Sequence, residues 1–185
     1  MRKEMFNHEI NILRDTYRRL LRRQARINLA KLTNKTHPAD LATVFRYFTD
    51  EEQTEIFSLM NENEHTAEFL SELDDALVND LLSNETLERI AAIIEKAPSN
   101  DQSDILNALE GNKAQSVLEL LELEEQEEIA EIMGYPEDSA GSLMNTEVFT
   151  LRETITAGEA IKTLQDQEDA EMVFYLYITD DDDCL

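Results

Sequence analysis

The fold is decided by a segment that occurs twice, as EEQTEIFSLM at residues 51–60 and as EEQEEIAEIM at residues 124–133. A third segment with the same outline, ETLERIAAII, lies between them at residues 85–94. A shorter helical pattern precedes each of the three. Helix pairs that recur about every three dozen residues are typical of an α-solenoid, in which each pair buries its apolar face on its neighbour. The sequence therefore predicts a mostly α fold, an α-solenoid of superhelical helical-hairpin repeats with three units.

Capping signals mark where the helices of this region begin. Pro38 suits the first position of a helix, and Thr49 with Glu52 forms a capping box at the start of the next one. Two later helices begin at caps that the sequence leaves open between neighbours, Ser83 or Asn84 and Ser99 or Asn100. We expect residues 37–133 to form a right-handed stack of antiparallel helices, with β-strand only after residue 144.

The N-terminal segment has the pattern of one long, basic, amphipathic helix. Residues 6–27 carry apolar side chains at alternating spacings of four and three, interrupted only at Gln24: Phe6, Ile10, Leu13, Tyr17, Leu20 and Ile27. Residues 1–31 hold nine Lys or Arg against three acids, a net charge of +6. Such a helix can lie on a membrane surface, meet an acidic partner or cap the repeats behind it, and the pattern leaves these alternatives open.

The rest of the chain is strongly acidic. The whole chain of 185 residues has a net charge of −25, so residues 32–185, with 7 basic and 38 acidic side chains, carry −31. This charge repels nucleic acid and anionic lipid and attracts cations or basic partners. The longest apolar run, residues 172–178, is strand-sized, and no signal-peptide core follows Met1, so we expect a cytosolic location.

The inventory of reactive side chains argues against an enzyme. His8, His37 and His65 lie on separate segments, and neither a nucleophile elbow nor a phosphate-binding glycine loop is present. The single cysteine, Cys184, lies in an acidic tail and cannot form a disulfide within the chain. The sequence therefore predicts neither catalysis nor a zinc site.

A second, α/β segment follows the helices. Residues 147–151 alternate like a strand, Thr154 or Thr156 can cap a helix, and residues 172–178 have the pattern of a buried strand. This β-α-β order needs further strands, so the second domain looks unfinished. We expect its open edge to pair with another chain, to pack on the helices or to be disordered.

Two carboxylates form the best candidate for a cation site. Asp101 and Asp104 stand at the start of a helix at i and i+3, so both can point to one side, and oxygen clusters of this kind suit Mg²⁺. The alternative is that they only complement the helix dipole. The acidic run at residues 180–183 lacks the glycine and spacing of an EF-hand and is interpreted as a solvated turn.

Three motifs resemble one family. The segment YPEDSAGSLMNTE at residues 135–147 resembles the junction that follows the cytosolic helical domain of MgtE-type magnesium transporters. HPADL at residues 37–41 resembles the opening of that helical domain, and NDQSD at residues 100–104 resembles its acidic segment. Two positions depart from the family pattern: Asn100 stands where the family has an acid, and Asn145-Thr146 replaces the usual Thr-Pro.

The resemblance implies a division of the chain and a mechanism. Residues 1–34 would be the basic helix, 35–134 the acidic helical N domain, 135–144 the junction, and 145–185 the incomplete first motif of a pair of CBS (cystathionine-β-synthase-type) motifs. The family's remaining CBS sequence and transmembrane pore would be partners of this region, in a full-length homodimer. In the family, Mg²⁺ held between the N and CBS domains keeps the pore closed.

The resemblance also implies ligands for Mg²⁺. They are Asp104 first, then Asp101, with a backbone carbonyl near Gly141 and Ser142 as a third. The competing hypothesis is a helical-repeat adaptor that binds proteins without sensing ions, as in the related repeats of flagellar motor-switch proteins.

Overall fold

The structure, a computed structural model, describes residues 2–136, 139–144, 149–166, 175–181 and 184–185. Its contacts divide the chain into two compact units, Met1–Met144 and Asn145–Leu185. In the described part of the first unit every regular element is a helix: α1 Arg2–Arg22, α2 Arg26–Thr33, α3 Pro38–Phe45, α4 Asp50–Phe57, α5 Glu64–Ser71, α6 Asp75–Ser83, α7 Leu87–Ile94, α8 Ser99–Ala108, α9 Lys113–Leu118 and α10 Leu123–Met133.

These helices pack in two rows. Each odd-numbered helix from α1 to α7 contacts the next odd-numbered one, and each even-numbered helix from α2 to α8 contacts the next even-numbered one. A continuous apolar core lies among them, and its largest fully buried aromatic side chains are Tyr17, Phe45, Phe57 and Phe69. The rings of Phe45 and Phe69 meet edge to face with centroids 5.0 Å apart, so α3 and α5 interlock at this point.

The structural repeat is shorter than the sequence predicts. The even-row helices α4, α6, α8 and α10 begin at Asp50, Asp75, Ser99 and Leu123, so one repeat takes about two dozen residues. The duplicated segments lie on α4 and α10 and are therefore three repeats apart. The predicted period of about three dozen residues, with three units, is wrong. The segment at 85–94 contains α7, an odd-row helix, and the unpredicted helix α6 lies between it and α4.

A buried or half-buried glutamine repeats with the even row. Gln53, Gln102 and Gln126 each stand fourth in their helices, α4, α8 and α10. Each donates its side-chain amide to a carbonyl of the preceding segment, at 2.8 to 3.1 Å. In α6 the fourth position is Val78. The missing glutamine is one reason why the pattern of the duplicated segment does not reveal α6.

The predicted single helix at residues 6–27 is broken. Helix α1 ends at Arg22, and Gln24 adopts a left-handed conformation that the helix cannot continue through, with φ of 51°. Ile27, which the pattern placed on the apolar stripe, is 74% exposed, and Leu21 and Leu29 are buried instead. Phe6 lies outside the residues whose side chains are described. The break changes the phase of the helix, so a 3.6-residue period drawn through it assigns the wrong face to α2.

The helix caps are partly as predicted. Thr49 and Glu52 form the expected capping box, and Pro38 is the first residue of α3. The caps predicted for the two later helices are wrong: Thr86 caps α7, and Pro98 precedes α8 with Ser99 already helical. In each case the local pattern allowed several start residues, and the buried face that packs on the neighbouring helices determines which one is used.

The second unit contains a strand, a helix and a strand in its described residues. Strand β1, Thr150–Arg152, pairs in parallel with β2, Tyr177–Thr179, and α11, Ala157–Asp166, lies between them in the sequence. Thr156 caps α11, as one of the two predicted alternatives. The predicted strand residues 147–148 and 172–174 lie outside the described residues. Residues 175–176 are not in a strand, and the side chains of residues 175–178 are exposed, so the prediction of a buried strand at 172–178 is wrong for its described part. No strand precedes residue 144 in the described part of the chain, as predicted.

Candidate cation site

Helix α8 places both predicted acids away from its buried face. Gln102, Ser103, Ile105 and Leu106 turn towards the core. Asp104 is exposed and Asp101 is half-buried. The 3.6-residue period of the helix explains this arrangement, because positions that face away from the core alternate with positions that pack against the neighbouring helices.

The electrostatic neighbour of Asp104 comes from another helix. Asp75, the first residue of α6, repels the carboxylate of Asp104, and α6 packs directly against α8. The pKa of Asp104 is raised, first by partial desolvation of its carboxylate by neighbouring protein atoms and then by the charge of Asp75. A cation beside these two side chains would remove the repulsion.

Asp75 is the residue that the sequence did not single out. It follows Asp74, whose carboxylate caps α6 by accepting a 3.2 Å hydrogen bond from the backbone N–H of Leu77. Asp74 also lies 4.0 Å from the guanidinium of Arg46. The Asp-Asp pair thus has one member that caps the helix and one whose charge acts on Asp104. Because α6 was not predicted, nothing indicated that Asp75 begins a helix beside α8.

Asp101 is engaged locally. The side-chain amide of Asn100 donates a 2.7 Å hydrogen bond to the Asp101 carboxylate. Asn100 is the position at which the chain departs from the acidic pattern, so this amide supplies a donor where a second acid would repel. Asp101 also lies in the first turn of α8, where a negative charge complements the helix dipole.

Gly141 and Ser142 lie in a turn held by its own hydrogen bonds. The N–H of Ser142 donates to the hydroxyl of Ser139 at 3.3 Å, and the N–H of Met144 donates to the carbonyl of Gly141 at 3.2 Å. A carbonyl oxygen has a second lone pair, so this bond leaves Gly141 able to accept a further donor or bind a cation. Within the described residues, no group of three or more His, Cys, Asp or Glu side chains is arranged to hold a metal ion.

A separate groove of about 450 Å³ lies elsewhere in the first unit. It runs between α1, the end of α2 and the start of α3, and its lining includes Ile10, Leu13, Leu32, Lys35, His37 and Asp40. None of the predicted cation ligands lines it. The groove is therefore distinct from the acidic pair on α6 and α8.

Two rows of short helices that present carboxylates on adjacent even-row helices define an acidic helical domain. The family model described as the MgtE intracellular N domain matches residues 36–138, which is more than half of the chain. The chain therefore belongs to the MgtE intracellular N domain family. None of the described helices is long and apolar enough to cross a membrane.

Known proteins agree with this family. The chain is 27% identical over 157 residues to a magnesium transporter, MgtE of Thermus thermophilus, in an alignment that covers 83% of the chain and 35% of the relative. The chain thus spans about a third of that relative's length.

Solved structures show the same fold. One, the cytosolic domain of the Mg²⁺ channel MgtE in complex with ATP, superposes with a TM-score of 0.80 at 26% identity, covering 91% of the chain and 69% of its own. Another, the soluble part of a magnesium transporter, has a TM-score of 0.78 at 20% identity, with 93% and 68% covered. The predicted relationship to MgtE-type transporters is confirmed.

Proposed function

We propose that this chain is the intracellular, Mg²⁺-sensing regulatory region of an MgtE-type magnesium transporter. The observation that carries the proposal is the repelling pair Asp75 and Asp104 on adjacent helices, within a domain of the MgtE family. The pore and the remaining regulatory sequence would be supplied by the rest of the transporter, since the chain corresponds to 35% of the relative.

The proposal includes the architecture. The two rows of helices from α1 to α10 would form an α-solenoid with a repeat of about two dozen residues, and residues 145–185 would begin the first CBS motif. The strand–helix–strand order and the parallel pairing of β1 with β2 support the second assignment, because a parallel pair needs a crossover such as α11.

Mg²⁺ chemistry fits a site built from few protein ligands. Mg²⁺ retains several waters and usually takes one or two carboxylates from a protein. Asp104 and Asp75 would supply these on one wall, with Asp101 and a backbone carbonyl near Gly141 and Ser142 as further candidates. The other wall would come from the CBS region, so that Mg²⁺ holds the two together and its loss lets like charges separate them.

Two of the three histidines have structural contacts, which supports a non-catalytic function. The ring of His37 accepts a hydrogen bond from the N–H of Ala39 and so caps α3. The ring of His65 contacts the carbonyl oxygen of Thr36 at 2.7 Å. The adaptor alternative also needs no catalysis, so it must be separated from the sensor by ion binding.

The decisive experiment compares Mg²⁺-dependent stabilisation in two proteins, this chain and the same chain extended by the sequence that follows it in the transporter. We expect millimolar Mg²⁺ to stabilise the short chain by about 0.4 kcal/mol per site, as for a ligand near its Kd, and the extended chain by more. Asp104→Asn should reduce the response of the extended chain, and Asp80→Asn, an exposed acid on α6, serves as the matched control for net charge.

An equal effect of Asp104→Asn and Asp80→Asn in the extended chain would contradict the sensor and favour the adaptor. Diffuse screening responds to net charge, and both variants remove one negative charge. Only a site at Asp104 makes the two responses differ.

A further inference from the structure

The break at Gln24 creates a basic corner, which we define as Arg19, Arg22, Arg23 and Arg26 together with Ile27. All four arginines are exposed, and Ile27 is 74% exposed. Arg19 and Arg22 lie in the last turn of α1, and Arg26 begins α2, so the turn gathers charge from two helices at one place. This corner has no part in the proposed cation site.

Two other arginines of α1, Arg14 and Arg18, contact neighbouring residues, whereas the corner has few such contacts. Arg14 pairs with Asp15 at 3.1 Å and stacks on the ring of Tyr47, and Arg18 donates to the carbonyl of Tyr47 at 3.0 Å. Within the described part of the chain, no carboxylate pairs with any of the four corner arginines. A helix C-terminus favours one or two basic residues, whereas four exposed arginines around one turn repel one another, which favours binding of an external anion.

We propose that the basic corner binds the anionic lipid headgroups of a membrane surface, with Ile27 inserted at the interface. Clustered basic residues beside an exposed apolar side chain are the combination that holds a peripheral helix on anionic lipid. The acidic remainder does not prevent this, because its charges are screened beyond about 10 Å at about 0.1 M salt. The choice of a membrane rests on the proposed function, since the regulatory region of a transporter stays within reach of the bilayer.

A second copy of the chain also presents an anionic surface that the basic corner could bind. Leu123, 76% exposed beside the acids of α10, could face Ile27 of another copy. Such a contact would join two different surfaces of the chain, head to tail. A head-to-tail contact produces an open filament unless its rotation closes a ring. The lipid surface is therefore the better match.

The test uses the intact chain and vesicle co-sedimentation in EDTA, with phosphatidylcholine alone or in equal parts with phosphatidylglycerol. We expect binding to the anionic vesicles only, and its loss when NaCl is raised from about 0.1 M to about 0.5 M. Arg19→Gln with Arg23→Gln should lower the partition coefficient by about tenfold or more. Arg46→Gln with Lys96→Gln makes the same change of net charge at exposed positions elsewhere, and should change it by less than about twofold.

Ile27→Ser gives an independent readout, because the position is exposed and the change does not disturb the core. It should weaken vesicle binding by about threefold or more, from the lost apolar contact. The proposal fails if both double variants weaken binding equally, if neutral vesicles bind as well, or if the chain forms salt-sensitive oligomers in light scattering and ignores vesicles. Because no Mg²⁺ is present, a failure here does not bear on the sensor proposal, and a failure of the sensor is detected separately, by Mg²⁺-dependent stabilisation.

Discussion

Arg89 donates a 3.0 Å hydrogen bond from its guanidinium to the backbone carbonyl oxygen of Met60, which follows helix α4. A second donor on the same nitrogen reaches the carbonyl of Phe57 at 3.3 Å, and the guanidinium lies 5.1 Å from the centroid of the Phe57 ring. Glu62 and Glu85 pair with the other nitrogens at 3.1 Å and 2.8 Å. A single side chain from α7 therefore satisfies carbonyls at the end of α4.

Replacing Arg89 should destabilise the first unit more than a surface change. Arg89→Met keeps much of the apolar stem but leaves two carbonyls and the carboxylate of Glu85 without their donor. We expect the free energy of unfolding to fall by about 2 to 3 kcal/mol, because the side chain is only 17% exposed and its bonds are charge-assisted. Urea denaturation measures this, with Lys96→Met as an exposed control that should change it by less than about 0.5 kcal/mol. Equal effects of the two variants would contradict the assignment.

The capping of one helix end by a basic side chain from a later helix recurs one repeat further along the chain. Lys113, at the start of α9, donates from its ammonium group at 2.6 to 3.1 Å to three carbonyls at and just after the end of α6, those of Leu82, Ser83 and Glu85. The separation of Arg89 and Lys113 along the chain equals that between the starts of α6 and α8. In both cases a basic side chain on an odd-row helix caps the even-row helix three elements earlier in the chain.

Lys113→Met should therefore cost about 1 to 2 kcal/mol of unfolding free energy. Arg89 and Lys113 share one partner residue, Glu85, but contact different atoms of it: Arg89 pairs with the carboxylate, and Lys113 donates to the backbone carbonyl oxygen. The double variant Arg89→Met with Lys113→Met should therefore equal the sum within about 1 kcal/mol. Urea denaturation of the four proteins completes the cycle. A coupling energy above about 1 kcal/mol would show that the two caps act as one network.

The helical class and most helices could be predicted because most of the short helices have an apolar face and several of them, α3 to α7, begin at a side-chain cap. The repeat length could not, since α6 begins after Asp74 and has Val78 where the other even-row helices from α4 onward have a glutamine. Similarity between segments was strongest at a distance of three repeats, and the weaker match at 85–94 connected helices of different rows. Only the tertiary packing reveals the shorter repeat.

A glycine in the junction turn is required by a close approach. A Cβ built on Gly141 would lie 2.9 Å from Cδ2 of the Tyr135 ring and closer still to its Cγ, well inside van der Waals contact. Cγ is the near end of the side chain, so relief of the clash requires a different Tyr135 rotamer or a shift of the backbone. The junction motif therefore needs Gly141 for packing, independently of any role of its carbonyl in binding.

Gly141→Ala should lower the free energy of unfolding by about 1 to 2 kcal/mol or release the turn locally. Limited proteolysis at residues 139–144 and urea denaturation together detect either result. Gly158→Ala is the control, because a Cβ there meets nothing within 4 Å and alanine favours the helix. Adding Tyr135→Ala should relieve the effect of Gly141→Ala, and no relief would mean that the ring is not the cause.

The sequence indicated only the α8 part of the candidate site. Asp101 and Asp104 could be found because their spacing and motif lie within one helix. Asp75 could not, because only the packing of α6 on α8 brings it to Asp104. Spacing along the sequence indicates which residues are neighbours on one helix. A site shared by two helices can be predicted only when it is known which helices pack against each other.

The raised pKa of Asp104 makes a prediction about pH. Since partial desolvation and the charge of Asp75 raise this pKa in the folded protein, the ionised carboxylate is less favourable in the folded than in the unfolded chain. Its contribution to stability is therefore unfavourable above the folded pKa, and it vanishes as the pH falls below the unfolded value. Asp104→Asn removes the unfavourable charge and should raise the free energy of unfolding at about pH 7 by about 0.5 kcal/mol, as expected for a like-charge pair near the surface.

That gain should shrink as the pH approaches about 3, where the carboxyl of the unmodified protein is itself protonated. Asp80→Asn changes the net charge equally but replaces an exposed acid in the second half of α6, so urea denaturation should show a smaller gain at about pH 7. Mg²⁺ should reduce the advantage of Asp104→Asn, because a bound cation removes the repulsion that the substitution also removes. If Asp104→Asn were destabilising at neutral pH, the carboxylate would be making a favourable contact, and its repulsion by Asp75 could not be the basis of cation sensing.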